Sequence, residues 1–115
     1  MLLFLVKCKK EIEMKVIFRG GLEDNVNSET LLVDINELKE TAREAGRTAV
    51  IAKDLILYIE KTHLKSDYKH FSLNGELEGG ILCIINEVDW DILKEENTVL
   101  NDNDTIHFIT TLHGG

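Results

Sequence analysis

The stretch Gly80-Ile81-Leu82-Cys83-Ile84-Ile85-Asn86-Glu87-Val88-Asp89-Trp90 sets five consecutive apolar residues between a glycine and an asparagine. A short unbroken apolar run bounded by turn formers reads as a strand covered on both faces, which places residues 81–85 at the centre of a sheet. Asn86-Glu87 then supplies a tight turn into Val88-Asp89-Trp90. Downstream, Asn101 to Asp104 form another turn before Thr105 to Thr110, where Ile106 and Phe108 alternate with His107 and Ile109 as in a last strand.

Upstream of residue 80 the pattern changes twice. Residues 65–80 are mostly polar, with Asn74-Gly75 and Gly79-Gly80 as turn signals and Phe71 and Leu73 as apolar anchors, and read as a long connection. From Val50 to His63, Ile51, Leu55 and Ile59 recur at helical spacing, so a helix is expected to cover the sheet. Asn36 is a candidate cap for a shorter helix carrying Leu38, Ala42 and Ala45 and ending at Gly46. Before it, residues 13–19 and 30–35 are strand-like and are joined by Gly20-Gly21 and the turn formers Glu23-Asp24-Asn25 and Asn27-Ser28, which predicts a hairpin. Residues 2–9 are a further strand candidate. The sum is an α+β domain with one main helix packed on a mixed sheet.

Length and composition bound the rest. With 115 residues, 43% hydrophobic and 30% charged, the chain fits one globular domain over residues 1–115, and no proline-, glycine- or serine-rich linker divides it. Thirteen basic against 21 acidic residues give a net charge of −8, which argues against direct binding of nucleic acid and for partners with a basic surface. No apolar stretch reaches the length of a membrane span, and Met1 to Val6 is too short for the core of a secretion signal, so no membrane association is expected. Cys8 and Cys83 lie in apolar runs and are too few for a disulfide scaffold, which suits a reduced, cytoplasmic location.

The chemistry-bearing feature is the end of the sequence, Thr111-Leu112-His113-Gly114-Gly115, placed directly after the last strand. Two glycines lack Cβ atoms, so such a tail can thread a narrow channel and present an unhindered carboxylate. A carboxylate becomes electrophilic only after activation, for instance as an acyl-adenylate, whereupon a thiolate, persulfide or amine can attack it. Any reactive group in this chain would therefore be main chain.

The strand 80–85, the Asn-acid-x-Asp-Trp hairpin at 86–90, the Asp102-Asn103-Asp104 turn and the terminal Thr110-Thr111-Leu112-His113-Gly114-Gly115 together resemble the ubiquitin-related modifier family of sulfur carriers. Val16-Ile17-Phe18-Arg19-Gly20-Gly21 and Asp54-Leu55-Ile56-Leu57-Tyr58-Ile59 extend the likeness as first strand, turn and helix. The resemblance implies a β-grasp, ubiquitin-like fold and a carrier or modifier rather than an enzyme. It implies that Gly115 bears adenylate, then a thiocarboxylate or an isopeptide bond, while Thr110, Thr111, Leu112, His113 and Gly114 form the tail that an activating enzyme recognises. The implied partners are an E1-like adenylyltransferase and sulfurtransferase, a tRNA-thiolation enzyme acting on the wobble uridine of cytosolic tRNAs, and lysines of target proteins. No cofactor is implied, ATP being used by the activating enzyme. Against the family pattern, residues 1–11 read as an extension that is an added edge strand, a disordered arm or a mis-assigned start, residues 36–48 as an insertion that decorates the surface or else modulates partner contacts, and Gly79 stands where proline is expected.

Other constellations are weaker. His63, His70, His107 and His113 lack the spacing of a zinc site and read as solvent-facing, so no metal site is expected. Residues 86–104 hold seven acids, Glu87, Asp89, Asp91, Glu95, Glu96, Asp102 and Asp104, against Lys94 alone, which suits either steering toward a basic groove or a solvated rim. Trp90 reads as a core or boundary residue, with an interface anchor as the other reading, and Cys83 as a buried, unreactive thiol. Two alternatives share the fold: the small sulfur-carrying subunit of molybdopterin synthase, and an inert β-grasp interaction module.

Overall fold

Alternation over residues 13–19 becomes strand β1, Met14–Arg19, which buries Met14, Val16 and Phe18 and turns Lys15, Ile17 and Arg19 to the opposite face. The computed structural model describes residues 13–26, 28–65 and 70–110. The remaining elements are β2, Thr30–Val33; α1, Asn36–Glu44; α2, Ala52–Thr62; β3, Ser72–Leu73; β4, Glu76–Leu77; β5, Ile81–Ile85; β6, Val88–Asp89; and β7, Thr105–Thr110. The candidate strand at 2–9 lies outside the described residues.

Five strands form one sheet in the order β2-β1-β7-β5-β6. β1 pairs antiparallel with β2, Met14 opposite Val33, and parallel with β7, Phe18 opposite Phe108. β5 pairs antiparallel with both β7 and β6. The sheet is therefore mixed, with α2 laid across one face, which is the β-grasp arrangement. Under α2, Phe18 stacks on Phe108 at 5.8 Å between ring centroids, and Phe71 meets Phe108 edge-on at 5.2 Å. Offset and edge-on contacts of this kind add to the burial of the rings themselves.

Four expectations are corrected. β5 is not covered on both faces: Ile81, Cys83 and Ile85 are buried, while Leu82 is 38% exposed and Ile84 half-buried. Nor is β5 the middle strand, a place taken by β7. The stretch 65–80 contains a second, two-stranded sheet, β3-β4, turned by Asn74-Gly75 with both residues at positive φ. Asn36 is the first residue of α1 rather than its cap, and its N–H donates to Asp34 Oδ1 at 2.9 Å.

The segment 36–48 does more than decorate a surface. α1 buries Leu38 and Ala42 in the common core, and Glu37 accepts a 2.7 Å hydrogen bond from the Tyr58 hydroxyl of α2. The link between the helices is fixed by Arg47. Its guanidinium donates to both carboxylate oxygens of the fully buried Asp54, at 2.8 and 3.0 Å, and the Ile51 N–H donates to Asp54 Oδ2 at 2.9 Å. Asp54 thereby caps α2 from its own first turn and ties down the loop before it.

Candidate functional site

The last strand carries the tail, so the site is built from what positions β7. Ile106 and Phe108 are anchored in the core, and β7 is flanked on both sides: Arg19 of β1 stands opposite Ile109, and Ile81 of β5 stands opposite Thr110. A middle strand held by two ladders has no freedom to slip, because a one-residue shift would turn Ile106 and Phe108 out of the core. Thr110 is thus a fixed point of departure. Of the expected site residues, the structure describes Thr110; Thr111, Leu112, His113, Gly114 and Gly115 lie outside the described residues.

Two glycine turns frame this point. After β1 the chain reverses through Gly20 and Gly21, at φ +75 and +104, and before β5 it passes Gly80 at φ +90. Gly20 comes so close to the tail root that a Cβ built on it would stand 2.5 Å from the Thr110 carbonyl oxygen. Sequence reading took Gly20 only as turn punctuation. No pattern in sequence reveals that the neighbouring backbone belongs to residue 110, since the β1-β7 contact is long-range.

The face of the sheet away from α2 is the other feature that sequence reading missed. Ile17, Leu32, Leu82, Ile84 and Ile109 project from it, with Leu32 63% exposed, and His107 is half-buried between Ile17 and Ile84. His107 is therefore not simply solvent-facing, and His63 is likewise half-buried, its ring 5.2 Å from that of Tyr58. Lys15 and Arg19 lie on the same open face as Ile17. The alternation in 105–110 announced half of this face; the unbroken run at 81–85 hid the rest.

The acidic stretch divides into two kinds of carboxylate. Asp104 is buried and structural, accepting from Asn86 Nδ2 at 2.9 Å and from the Asn101 N–H at 2.7 Å, while Asn86 Oδ1 accepts from the Thr105 N–H. This network locks the β5-β6 turn to the turn before β7. Glu95 is exposed, and its carboxyl is pushed above the usual range by a hydrogen bond with Asp91, by desolvation and by the charges of Asp91 and Glu96. Trp90 is buried in the core and offers no anchor at the surface. Among the described residues no three His, Cys, Asp or Glu side chains lie together as a metal site, and no helix is long and apolar enough to cross a membrane.

Comparison with known proteins agrees with this architecture. The family model described as Urm1, ubiquitin related modifier, matches residues 13–115. The ubiquitin-related modifier 1 homolog of Dictyostelium discoideum is 35% identical over 104 residues, covering 90% of this chain and 100% of the relative. Ubiquitin-related modifier 1 of Mus musculus is 35% identical over 102 residues, covering 89% of this chain and 94% of the relative. Among solved structures, Urm1 of Trypanosoma brucei superposes with a TM-score of 0.66 at 27% identity, covering 90% of this chain and 95% of that one. Crystalline SAMP1 of Haloferax volcanii, at a TM-score of 0.64 and 16% identity over 90% of this chain and 99% of that one, shares the fold. With a match that runs from the start of β1 through the double glycine, this chain belongs to the ubiquitin-related modifier family.

Proposed function

We propose that this protein is a cytoplasmic sulfur carrier that works through the carboxylate of Gly115. The observation that carries the reading is the placement of Thr110: β7 ends there, fixed between two strands, with Thr111-Leu112-His113-Gly114-Gly115 following in sequence. The folded body holds the tail root, and glycines lead to the reacting carbonyl. The family match through residue 115 supports including the tail in that function.

The chemistry needs an E1-like partner. The Gly115 carboxylate attacks the α-phosphorus of ATP, forming an acyl-adenylate and releasing pyrophosphate. The terminal sulfur of an enzyme persulfide attacks that carbonyl and AMP leaves, giving an acyl disulfide. A second enzyme thiol then attacks the enzyme's own sulfur in that disulfide. The enzyme is left with a disulfide and Gly115 with a thiocarboxylate. At neutral pH the thiocarboxylate is ionised and nucleophilic, which suits donation of sulfur to the activated wobble uridine of a tRNA held by a separate thiolation enzyme. Attack on the same activated carbonyl by a lysine amine would give an isopeptide bond, so protein modification is a second use of one intermediate. The carrier itself supplies no catalytic side chain. The acidic stretch around residues 87–96 is suited to meeting a basic surface on the activating enzyme.

The test is intact-mass measurement after incubation with ATP, a sulfur source and the cognate E1-like enzyme. An oxygen-for-sulfur exchange located at Gly115 is the expected result. A chain that is neither adenylated nor sulfurated would favour an inert interaction module, and stable copurification with a large molybdopterin-synthase subunit would favour that alternative role.

A further inference from the structure

We infer that the groove between α2 and the β3-β4 hairpin is a docking site for a basic, apolar segment of the activating enzyme, an assignment that rests on the carrier function proposed above. A hollow of about 720 Å³ is lined there by Leu64, Leu73 and Leu77 together with Glu60, Glu76 and Glu78, and among the described residues no lysine or arginine lines it. Leu64 and Leu77 pack against the common core and are only partly buried, so two apolar walls are fixed in place and still open to the groove. Leu73 is 74% exposed and stands opposite Glu76 in the hairpin register, which sets an uncovered leucine beside a carboxylate on one face.

The groove is held open by the fold itself. Glu60 Oε2, on α2, accepts from the Ser72 hydroxyl and, at 2.8 Å, from the Gly75 N–H, so one carboxylate oxygen ties the hairpin to the helix. Apolar surface rimmed by polar groups marks an interaction site, and the rim here selects its occupant by charge. Glu76 is exposed and Glu78 half-exposed, with His70 Nδ1 at 3.7 Å from Glu78. A segment that alternates apolar residues with lysine or arginine matches both the leucines and the carboxylates, whereas an acidic segment is repelled. Position points to the enzyme that handles the tail. The Glu78 carbonyl accepts from the Ile81 N–H at 3.3 Å, and Ile81 stands opposite Thr110, so one short turn joins the rim of the groove to the tail root. An enzyme that grips the chain beyond Thr110 gains a second hold in the groove, which tightens binding of the folded body without touching the reacting carbonyl.

Steady-state kinetics of adenylate formation by the cognate E1-like enzyme, with the full-length chain as the varied substrate, test the groove. Leu73→Asp and Glu76→Lys should each raise KM about tenfold and leave kcat unchanged, the pattern of binding lost equally from ground and transition states. Both positions are exposed, so the urea midpoints of the variants should stay close to that of the original chain. Glu44→Lys, at the end of α1 and outside the groove, changes net charge by the same amount as Glu76→Lys and should leave KM nearly unchanged. An equal rise in KM for Glu44→Lys and Glu76→Lys would reduce the effect to long-range charge and overturn the docking site. Unchanged KM in both groove variants, with the original chain adenylated normally, would overturn the groove and leave the carrier function standing. An original chain that is not adenylated at all would overturn the carrier function and the groove with it. A dimer of the original chain that Leu73→Asp dissolves without altering KM would assign the groove to a second copy and overturn the enzyme as its occupant.

Discussion

Gly20 and Thr110 lie backbone to backbone, so close that a methyl group on Gly20 would press to within 2.5 Å of the Thr110 carbonyl oxygen. Gly20 also holds φ +75, a conformation that L side chains adopt at a cost. Both effects act at the point where the tail departs, and the obstructing atom is backbone, which cannot swing aside. Gly20→Ala should therefore lower stability by about 1–3 kcal/mol, the range for a strained backbone residue. Urea denaturation measures the cost. Gly21→Ala is the comparison, since its Cβ would meet nothing within 4 Å and only its φ of +104 is unfavourable. If both variants lose equal stability, the close approach to Thr110 has no energetic weight.

The Arg47 and Asp54 pair gives an asymmetric prediction. Asp54 is fully buried and accepts three hydrogen bonds, whereas the Arg47 side chain is about a third exposed. Its guanidinium is held above its ordinary value chiefly by the hydrogen bond to Asp54, with desolvation working the other way. Asp54→Ala strips the cap from α2 but leaves a guanidinium that solvent can reach, so a loss of about 1–3 kcal/mol is expected. Arg47→Ala leaves the fully buried Asp54 carboxylate without its cation, with only the Ile51 N–H still bonded to it, so the larger loss, roughly 3–5 kcal/mol, is expected. A double-mutant cycle should return strong coupling; additive losses would mean that the two act separately.

Much of this architecture is visible in sequence, and the misreadings have physical causes. The alternation of Met14, Val16 and Phe18 identified β1, and the helical spacing of Leu55 and Ile59 identified α2, because each pattern reports burial of one face. The run Ile81–Ile85 misled because an aliphatic side chain carries no mark of whether a helix or an open surface faces it. Leu82 and Ile84 are as apolar as Ile81 and Ile85, yet only the latter pair is buried. The hairpin β3-β4 has only two residues in each strand, too few to show any period. Arg47 and Asp54 stand seven positions apart, and neither their pairing nor the proximity of Gly20 to Thr110 leaves any trace in composition. The double glycine was legible as chemistry because it needs no folded context to be unhindered.

Tyr58 makes stability depend on pH at the alkaline end. Burial first, and then the hydrogen bond to Glu37, push its hydroxyl up to about 12 from the ordinary 10.0. The raised value means that the folded state holds the proton more tightly than the unfolded state. This contribution is complete below about pH 10 and is lost as the pH climbs from there to about 12. Spectrophotometric titration of the phenolate should show a late-ionising tyrosine that disappears in Tyr58→Phe. Retention of the late ionisation in that variant would assign it elsewhere.

Cys83 has no route into the sulfur chemistry. Its side chain is wholly buried on β5, and desolvation, assisted by the charges of Asp89 and Glu96, drives its thiol far above the usual range. Because thiolate is the reactive form, alkylation of native protein near neutral pH should spare Cys83, and unfolding should release it. A fast reaction in the folded state would contradict the burial.

Removal of Gly115 separates carrier chemistry from folding. The described core closes with residues no later than Thr110, and the rings of Phe18, Phe71 and Phe108 pack without help from the tail. Deleting Gly115 should therefore leave the urea midpoint where it is. It should also abolish formation of a productive thiocarboxylate, since the carbonyl then sits on Gly114, one residue short of the position that the activating enzyme would reach. Near-attack geometry tolerates little displacement, and one residue of extended chain moves the reacting atom by about 3.3 Å. Gly114→Ala tests the same channel differently, by adding one methyl group without changing length. Full sulfur loading in both variants, measured by intact mass with ATP and the E1-like enzyme, would sink the assignment of the terminal glycine as the working group.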